Sequence, residues 1–307
     1  MTMTPTSLRI AVAVNPAASF GANRAVGLSV APALREAGHT VTELVEASYR
    51  RLQESVTVAL KVGQDVLVVV GGDGMVHLGT DAVVNTPVAL GIVPTGTGND
   101  LARGLGIPID DYEAALQLLI ASLQRPFRPI DGLHITGEAT DVWAAGVLSA
   151  GFDSLVNERA NLMRHPRGKS RYTIALVIEI LRLKRRQYTL VVDGVARQVE
   201  AVLLAAANNQ SIGGGMRIAP NALLDDGLID LLIVTPLSRA RLMRVFPTVF
   251  KGEHLKFPEV SIEHVRSVTI DSPGIVGFAD GERIGPLPLT ITVVPRVLRV
   301  VRGPDPA

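Results

Sequence analysis

The chain has 307 residues, enough for one large or two medium domains, and its 47% hydrophobic against 19% charged content supports sizeable cores. A formal net charge of +1 argues against a nucleic-acid binder, and the lack of cysteine excludes disulfides, thiolate metal sites and cysteine nucleophiles. No apolar run reaches the roughly 18 residues of a membrane span, and Met1 to Ser7 lacks a basic segment followed by an apolar one, so the cytosol is the expected compartment.

In chain order, Leu8 to Val14 reads as a strand and Asn15 to Gly21 as a loop. Ala25 to Ala37 predicts a helix stopped by Gly38 in the C′ position, and Val41 to Val45 a second strand. Tyr49 to Val62 predicts a helix stopped by Gly63. The apolar run Val66–Val70 is a buried strand that leads into Gly71-Gly72-Asp73-Gly74, with a helix from Met75 to Val84. A fourth strand, Val88–Val93, leads into Pro94-Thr95-Gly96-Thr97-Gly98-Asn99-Asp100, and Asp110 to Ser122 is a further helix. Repeated β-α alternation predicts a mostly parallel sheet covered by helices.

Beyond Pro126 and Pro129 strands dominate: Val142–Ala145, Tyr188–Val192, Val199–Ala206, Ile229–Val234, Val268–Ile270, Ile275–Ala279 and Leu289–Val294, with Asp193-Gly194 as a hairpin signal. Helical patterns interrupt at Leu155–Arg185, broken at Pro166–Gly168, and at Ser238–Phe250, kinked or divided at Pro247. These features predict a second, strand-rich domain starting near residue 134.

The chemistry concentrates in the two glycine turns. Each ends a buried strand, and ligands of open α/β sheets bind at the carboxyl edge of the strands. Glycines let backbone N–H groups approach an anion, and a following helix start adds partial positive charge. Neither turn is a Walker A loop or a G-x-G-x-x-G fingerprint, since Leu101 stands where the third glycine belongs. Alone, either turn is equally a tight strand-to-helix connection. Two on one sheet edge, each with a carboxylate, point to a nucleotide site.

Gly71-Gly72-Asp73-Gly74 followed by Pro94 to Asp100 resembles the diacylglycerol kinase catalytic domain, shared by soluble bacterial lipid kinases and sphingosine kinases. Gly151-Phe152-Asp153, Gly213-Gly214-Gly215, Pro220-Asn221-Ala222 with Asp225-Asp226-Gly227, and Ala279-Asp280-Gly281-Glu282 follow in that family's order, so the resemblance spans nearly the whole chain. It implies an α/β domain related to NAD kinase and phosphofructokinase over residues 1–133, completed by residues 290–307, and a β-sandwich lipid-substrate domain over residues 134–289, with ATP in the cleft between them. The implied activity is magnesium-dependent transfer of phosphate from ATP to the hydroxyl of 1,2-diacylglycerol, giving phosphatidic acid for phospholipid synthesis.

The resemblance also implies residue roles. Asn15 and Pro16 match a first nucleotide loop, although Gly21 lies farther along than that loop's usual glycine. Gly71, Gly72, Asp73 and Gly74 match the turn that holds ATP phosphates, with Asp73 acting through a catalytic Mg2+ because two anions repel without a bridging cation. Gly96, Thr97 and Gly98 form the second nucleotide loop, with the Thr97 hydroxyl able to donate to phosphate. Asp100 either caps the helix it opens or joins a polar network around magnesium, and Asp131 matches a family aspartate near the domain junction. Asp226 matches the ligand of a second, structural Mg2+, completed by water and the backbone carbonyls of Leu223 and Leu228; without the resemblance its turn is only a hairpin. Glu282 matches the general base that takes the lipid hydroxyl's proton, where the alternative is a solvated turn glutamate. Two residues depart from the pattern: Met75 stands at a usual threonine and His77 at a frequent asparagine. A lost buried hydroxyl donor costs roughly 1–3 kcal/mol.

A diacylglycerol substrate lies in a bilayer, so peripheral contact with an anionic surface is expected. Arg159, Arg164, Arg167, Lys169 and Arg171 cluster at the Pro166–Gly168 break, and Arg182, Lys184, Arg185 and Arg186 follow. Each basic side chain near an anionic leaflet contributes about 1 kcal/mol; the alternative is a solvated basic face. The Ser238–Phe250 stretch is amphipathic and expected to pack on the core. Rival functions are kinase chemistry on another acceptor, such as a sphingoid base, ceramide or NAD, and a lipid- or nucleotide-binding module with a decayed site. Homodimerisation is implied by family analogy.

Overall fold

Runs of β-branched and aliphatic residues build a parallel sheet from the first part of the chain. Its strands β1 (Arg9–Val14), β2 (Thr40–Val45), β3 (Val66–Gly71) and β4 (Ala89–Pro94) lie in the order β2-β1-β3-β4. β3 and β4 are buried along their whole lengths, as continuous apolar runs must be when helices cover both faces, whereas β2 forms a half-exposed edge. The computed structural model describes residues 7–14, 23–151, 156, 159, 162–163, 174–175, 178–179 and 185–302. It divides into two units, Met1–Ile130 with Arg296–Ala307, and Asp131–Pro295.

In the first unit the helices are α1 (Asn23–Glu36), α2 (Tyr49–Val62), α3 (Asp73–Val83), α4 (Asp100–Gly104) and α5 (Tyr112–Ser122). Gly38 ends α1 as expected. At φ +92° its N–H donates to the Arg35 carbonyl at 2.9 Å and the His39 N–H to the Leu34 carbonyl at 3.1 Å, a complete Schellman motif. The Ser48 hydroxyl accepts the Arg51 N–H at 3.4 Å to start α2. Asp111 starts α5 in the same way, accepting the Ala114 N–H at 3.0 Å, so that helix begins at Tyr112 rather than Asp110. α3 begins two residues earlier than expected, at Asp73, so half of the first glycine turn is helical. The helix expected to open at Asp100 is the short α4, whose five residues are too few to carry a periodic signal of its extent. α3 lies close against the sheet through Gly79, where a Cβ would stand 2.6 Å from Leu90 Cδ1 and 2.9 Å from Val69 Cγ1.

The second unit is antiparallel. One sheet has the order β12-β11-β10-β7-β14-β15, built from β7 (Val147–Gly151), β10 (Leu203–Ala207), β11 (Ile229–Val234), β12 (Val260–Val265), β14 (Val276–Ala279) and β15 (Glu282–Pro286). The other joins β8 (Arg186–Val192), β9 (Val195–Ala201), β13 (Ser267–Asp271) and the first half of β16 (Leu289–Val300), with β5 (Arg128–Gly137) and β6 (Thr140–Ala144) beside β16. Side chains of both sheets, including Leu133, Leu148, Tyr188, Leu231, Ile270 and Ile291, form one core. Burial pushes the Tyr188 phenol up to about 12. The glycine of the Gly151-Phe152-Asp153 motif has a packing reason: at φ +122°, a Cβ there would lie 2.7 Å from Tyr188 Oη. An α/β unit and an antiparallel two-sheet unit are the fold classes expected from the sequence.

Several boundaries moved. The run expected as one strand, Val199–Ala206, is two strands in different sheets, divided at Val202. β5 contains Pro129, Gly132 and Gly137, which hid it, while β7, β12 and β15 carry too short or too mixed an apolar pattern to be read. β16 continues past Pro295 through Arg296 at φ +56°, and its Arg299 and Val300 pair in parallel with Ala89 and Leu90 of β4. Asp193 and Gly194 have φ 46° and 86°, the paired positive values of a type I′ hairpin. Helix α6 (Arg239–Val245) gives way at Phe246 to a 3-10 turn carrying Pro247, as expected of a proline division. Most of the helical pattern at 155–185 lies outside the described residues. Among the described residues no helix is long and apolar enough to cross a membrane.

Gly79→Val is expected to lower stability by about 1–3 kcal/mol through overpacking at the α3–sheet contact, measured by urea unfolding. Unchanged stability would show that α3 has room to move.

Candidate functional site

The two glycine turns are in direct contact. A Cβ on Gly96 would stand 2.4 Å from Gly72 Cα, and one on Gly72 would stand 3.0 Å from Gly96 Cα. Both positions therefore need glycine for the loops to meet, whatever they also offer an anion. The Gly71 carbonyl accepts the Thr95 N–H at 3.0 Å, continuing the β3–β4 register into the turns.

Asp73 ties the loops together. Its Oδ2 accepts the Asn99 N–H at 3.0 Å and its Oδ1 the Asp100 N–H at 2.8 Å, so it neutralises the positive end of α4 from the other loop. Gly98 has no side chain because a Cβ would lie 2.2 Å from Asp73 Oδ2. Asn99 occupies the N-cap position at φ 55° and ψ 41°, a left-handed conformation that asparagine tolerates. Its side chain braces Gly96 from both sides: Oδ1 accepts the Gly96 N–H at 3.1 Å, and Nδ2 donates to the Gly96 carbonyl at 2.9 Å. The carboxylate that caps α4 is thus Asp73, and Asp100 is the first helical residue rather than its cap. Sequence reasoning passed over Asn99, although an asparagine after Gly-Thr-Gly is a signal for a left-handed residue.

α3 starts without a side-chain cap, because Gly72 has none to offer. The N–H groups of Met75 and Val76 both donate to the Gly72 carbonyl, and the Tyr49 hydroxyl donates to the Gly74 carbonyl at 3.2 Å. Gly96 and Thr97 are exposed at the tip of the second turn. An uncapped helix start beside an exposed glycine loop suits an anion. Met75 is buried, its side chain covering Gly71, so it serves packing where a threonine would offer a hydroxyl. Asn15 and Pro16 lie outside the described residues.

The second unit gathers the remaining candidates. Asp131 is fully buried; its N–H donates to the Leu224 carbonyl at 2.7 Å and its Oδ2 accepts the Gly227 N–H at 2.6 Å. Asp226 is exposed and its Oδ1 accepts the Leu228 N–H at 3.0 Å, with Gly227 at φ 73° completing the turn; Leu223 is exposed and Leu228 half-buried. Asp226 also acts on Asp230 of β11. Burial pushes the Asp230 carboxyl up; His264, with Nε2 3.4 Å from Asp230 Oδ1, pulls it back, and the Asp226 charge adds to the rise. Glu282 is exposed as the first residue of β15, directly after the Asp280-Gly281 turn rather than inside it.

Asn208, buried and unanticipated, links these parts. Its Nδ2 donates to the carbonyls of Asp131 at 3.2 Å and Ala145 at 3.0 Å, while its N–H donates to the Gly146 carbonyl at 2.8 Å. The Asp280 carboxylate then holds the 145–147 segment. Its Oδ2 accepts the N–H groups of Ala145 and Gly146, each at 3.1 Å, and Oδ1 that of Val147 at 2.8 Å.

The same unit holds an apolar cavity beneath α6, lined mainly by apolar side chains such as Val202, Leu232, Leu242, Val245 and Phe246. His254 also lines it; its Nε2–H donates to the Ile218 carbonyl at 2.9 Å, and burial holds the imidazole below its ordinary value of 6.5.

Known families match both parts of the chain. The diacylglycerol kinase catalytic domain matches residues 9–131, and the YegS C-terminal NAD kinase beta sandwich-like domain matches residues 146–302. The chain is 37% identical over 296 residues to a diacylglycerol kinase of Mycobacterium tuberculosis, covering 96% of this chain and 95% of that protein. To a diacylglycerol kinase of Bacillus subtilis it is 28% identical over 248 residues, 79% of each chain. A crystal structure of a diacylglycerol kinase from Bacillus anthracis shares the fold, with a TM-score of 0.73 at 19% identity over 98% of both chains.

Gly96→Ala is expected to cost about 2 kcal/mol or more, because its Cβ meets backbone, while the exposed Thr97→Ala stays within about 0.5 kcal/mol; equal losses in denaturant unfolding would contradict the loop contact. Because His254 is held neutral by burial, the unfolded chain alone takes up this proton below about pH 6.5. Its contribution to stability is therefore full above that pH and declines as the pH falls. The melting temperature is expected to drop between about pH 7.5 and about pH 5.5, less steeply in His254→Gln; an unchanged slope in the variant would contradict the assignment.

Proposed function

The chain belongs to the diacylglycerol kinase catalytic-domain family of lipid kinases, and from that premise we propose that it transfers the γ-phosphoryl group of ATP to the hydroxyl of 1,2-diacylglycerol. The observation that carries the reading is the pair of glycine turns in contact at an uncapped helix start, with Asp73 fixed between them by two amides. Backbone N–H groups of Gly72–Gly74, Thr97 and Gly98 bind the phosphates, the Gly96 N–H being held by Asn99, and the Thr97 hydroxyl adds a donor. The lipid oxygen forms a bond to the γ-phosphorus as the bond to the bridging β–γ oxygen breaks; ADP leaves, and the hydroxyl proton passes to Glu282. Placement and charge neutralisation supply most of the rate, since phosphoryl transfer asks little covalent chemistry of the protein.

Magnesium fits the residues present. Asp73 is the carboxylate for an ATP-bound ion, and Asp226 with the Leu223 and Leu228 carbonyls offers the all-oxygen set a hard cation prefers. When bound, the ion supplies positive charge that neutralises phosphate oxygens. The apolar cavity beneath α6 suits an acyl chain of the acceptor. For membrane contact, Arg159 is unsuited because it pairs with Glu179, which leaves the basic residues at 164–171 and 182–186.

Incubation with labelled ATP, magnesium and an acceptor panel of diacylglycerol, sphingosine, ceramide and NAD tests the reading. Magnesium-dependent label in phosphatidic acid is expected; label only in another product, or none, would refute it. Glu282→Gln is expected to lower kcat by about 100-fold or more, Asp73→Ala to abolish turnover, and Asp226→Ala to lose activity that excess magnesium partly restores. A Glu282→Gln protein with most of its activity would remove Glu282 from the reaction.

A further inference from the structure

Glu282 presents a mechanical problem. A general base must sit within hydrogen-bond reach of one particular hydroxyl. Yet among the described residues the Glu282 carboxylate has no hydrogen-bond or ion-pair partner, and the residue is exposed. A long, rotamer-rich side chain without a tether is placed only by its backbone. That backbone is set by the turn before it.

The turn is a two-residue hairpin closed by the Ala279–Glu282 pair, with Asp280 at φ 49° and Gly281 at φ 85°. A hairpin end of this kind pivots easily unless something outside it holds the tip. The Asp280 carboxylate is that hold. It accepts the N–H groups of Ala145, Gly146 and Val147, and the Asp280 N–H donates to the Val147 carbonyl at 3.1 Å. Charge-assisted bonds to backbone amides are stronger than neutral ones. Space for the carboxylate exists only because residue 146 is glycine: a Cβ there would lie 2.2 Å from Asp280 Oδ1. The held segment is in turn bonded through Asn208 to Asp131, which holds the Gly227 turn beside Asp226. One hydrogen-bonded frame thus runs from the Asp226 turn to the residue preceding Glu282 by two positions.

We propose that Asp280 is a positioning residue for phosphoryl transfer, acting through Glu282 by fixing the tip of its hairpin to the amides of residues 145–147. The inference rests on Glu282 being the base. A matched control is available in the same unit. Asp193 stands at the first position of the other Asp-Gly hairpin, and its Oδ1 likewise accepts neighbouring amides, those of Arg266 at 3.0 Å and Ser267 at 2.8 Å. The structural device is the same, but no candidate base follows Asp193: residue 195 is valine.

The experiment measures kcat and KM for ATP with micellar dioctanoylglycerol, and thermal melting, for Asp280→Ala, Asp280→Asn, Gly146→Ala, Asp193→Ala, Glu282→Gln and Asp280→Ala/Glu282→Gln. Asp280→Ala and Gly146→Ala are expected to lower kcat by about 100-fold with KM for ATP within about twofold, and Asp280→Asn, which keeps one acceptor oxygen, to fall between them and the wild type. Asp193→Ala is expected to melt earlier yet keep its kcat. In the Glu282→Gln background Asp280→Ala is expected to add less than about twofold, because the residue it positions no longer acts. Should Asp280→Ala fail to fold, Asp280→Asn and Gly146→Ala decide. Unchanged kcat in these variants, an equal loss in Asp193→Ala, or a full additional loss in the double variant would overturn the proposal. An active Glu282→Gln protein would instead overturn the assignment of the base.

Discussion

The closest constraint in the first unit is the contact of two backbones, Gly72 against Gly96, with the Asp73 carboxylate locked between them. Neither loop can hold this shape alone. A side chain at 72, 96 or 98 would push them apart, and without Asp73 the amides of Asn99 and Asp100 would lose their acceptor. The glycines therefore answer a demand for close approach between loops, and the same residue type serves the proposed close approach of backbone to a phosphate. The same amide bonds to Asp73 explain how a carboxylate fits in a glycine-rich turn region proposed to hold phosphates. Both of its oxygens already take backbone N–H bonds, so its charge is partly answered before any anion arrives.

In the second unit carboxylates again organise backbone rather than one another. Asp131, Asp193, Asp226 and Asp280 each accept at least one main-chain N–H, and three of them hold turns. For the buried Asp131 and the half-buried Asp280 an unbonded carboxylate would be costly, and amides at turns are the donors they reach. The result is a set of turns braced by carboxylate–amide bonds beside a hydrophobic core, an arrangement in which loop residues can carry chemistry. Asn208 matters because its one side-chain amide reaches the carbonyls of two separate segments, at Asp131 and Ala145.

Much of this was legible in advance. Buried strands such as Val66–Gly71 and Ile229–Val234 announce themselves as continuous apolar runs, while Gly38 and Gly63 mark the ends of α1 and α2 and Asp193-Gly194 the β8–β9 turn, all at positive φ. The strands that escaped are those whose apolar signal is interrupted, as in β5 with its proline and glycines, or shared between two sheets, as at Val202. Among the site residues, glycine and carboxylate positions were readable because few residue types serve there. The partners were not. That Asp73 caps a helix 26 residues on, or that Asp280 grasps amides some 135 residues away, depends on tertiary closure, which local pattern does not encode.

The proposed reaction depends on where the triphosphate is held. A crystal structure of the full chain with a non-hydrolysable ATP analogue and magnesium tests this most directly. Phosphate oxygens are expected within hydrogen-bond distance of the amides of Gly72–Gly74, Thr97 and Gly98, with a metal ion between them and Asp73. A triphosphate bound away from both glycine turns would contradict the proposed reaction.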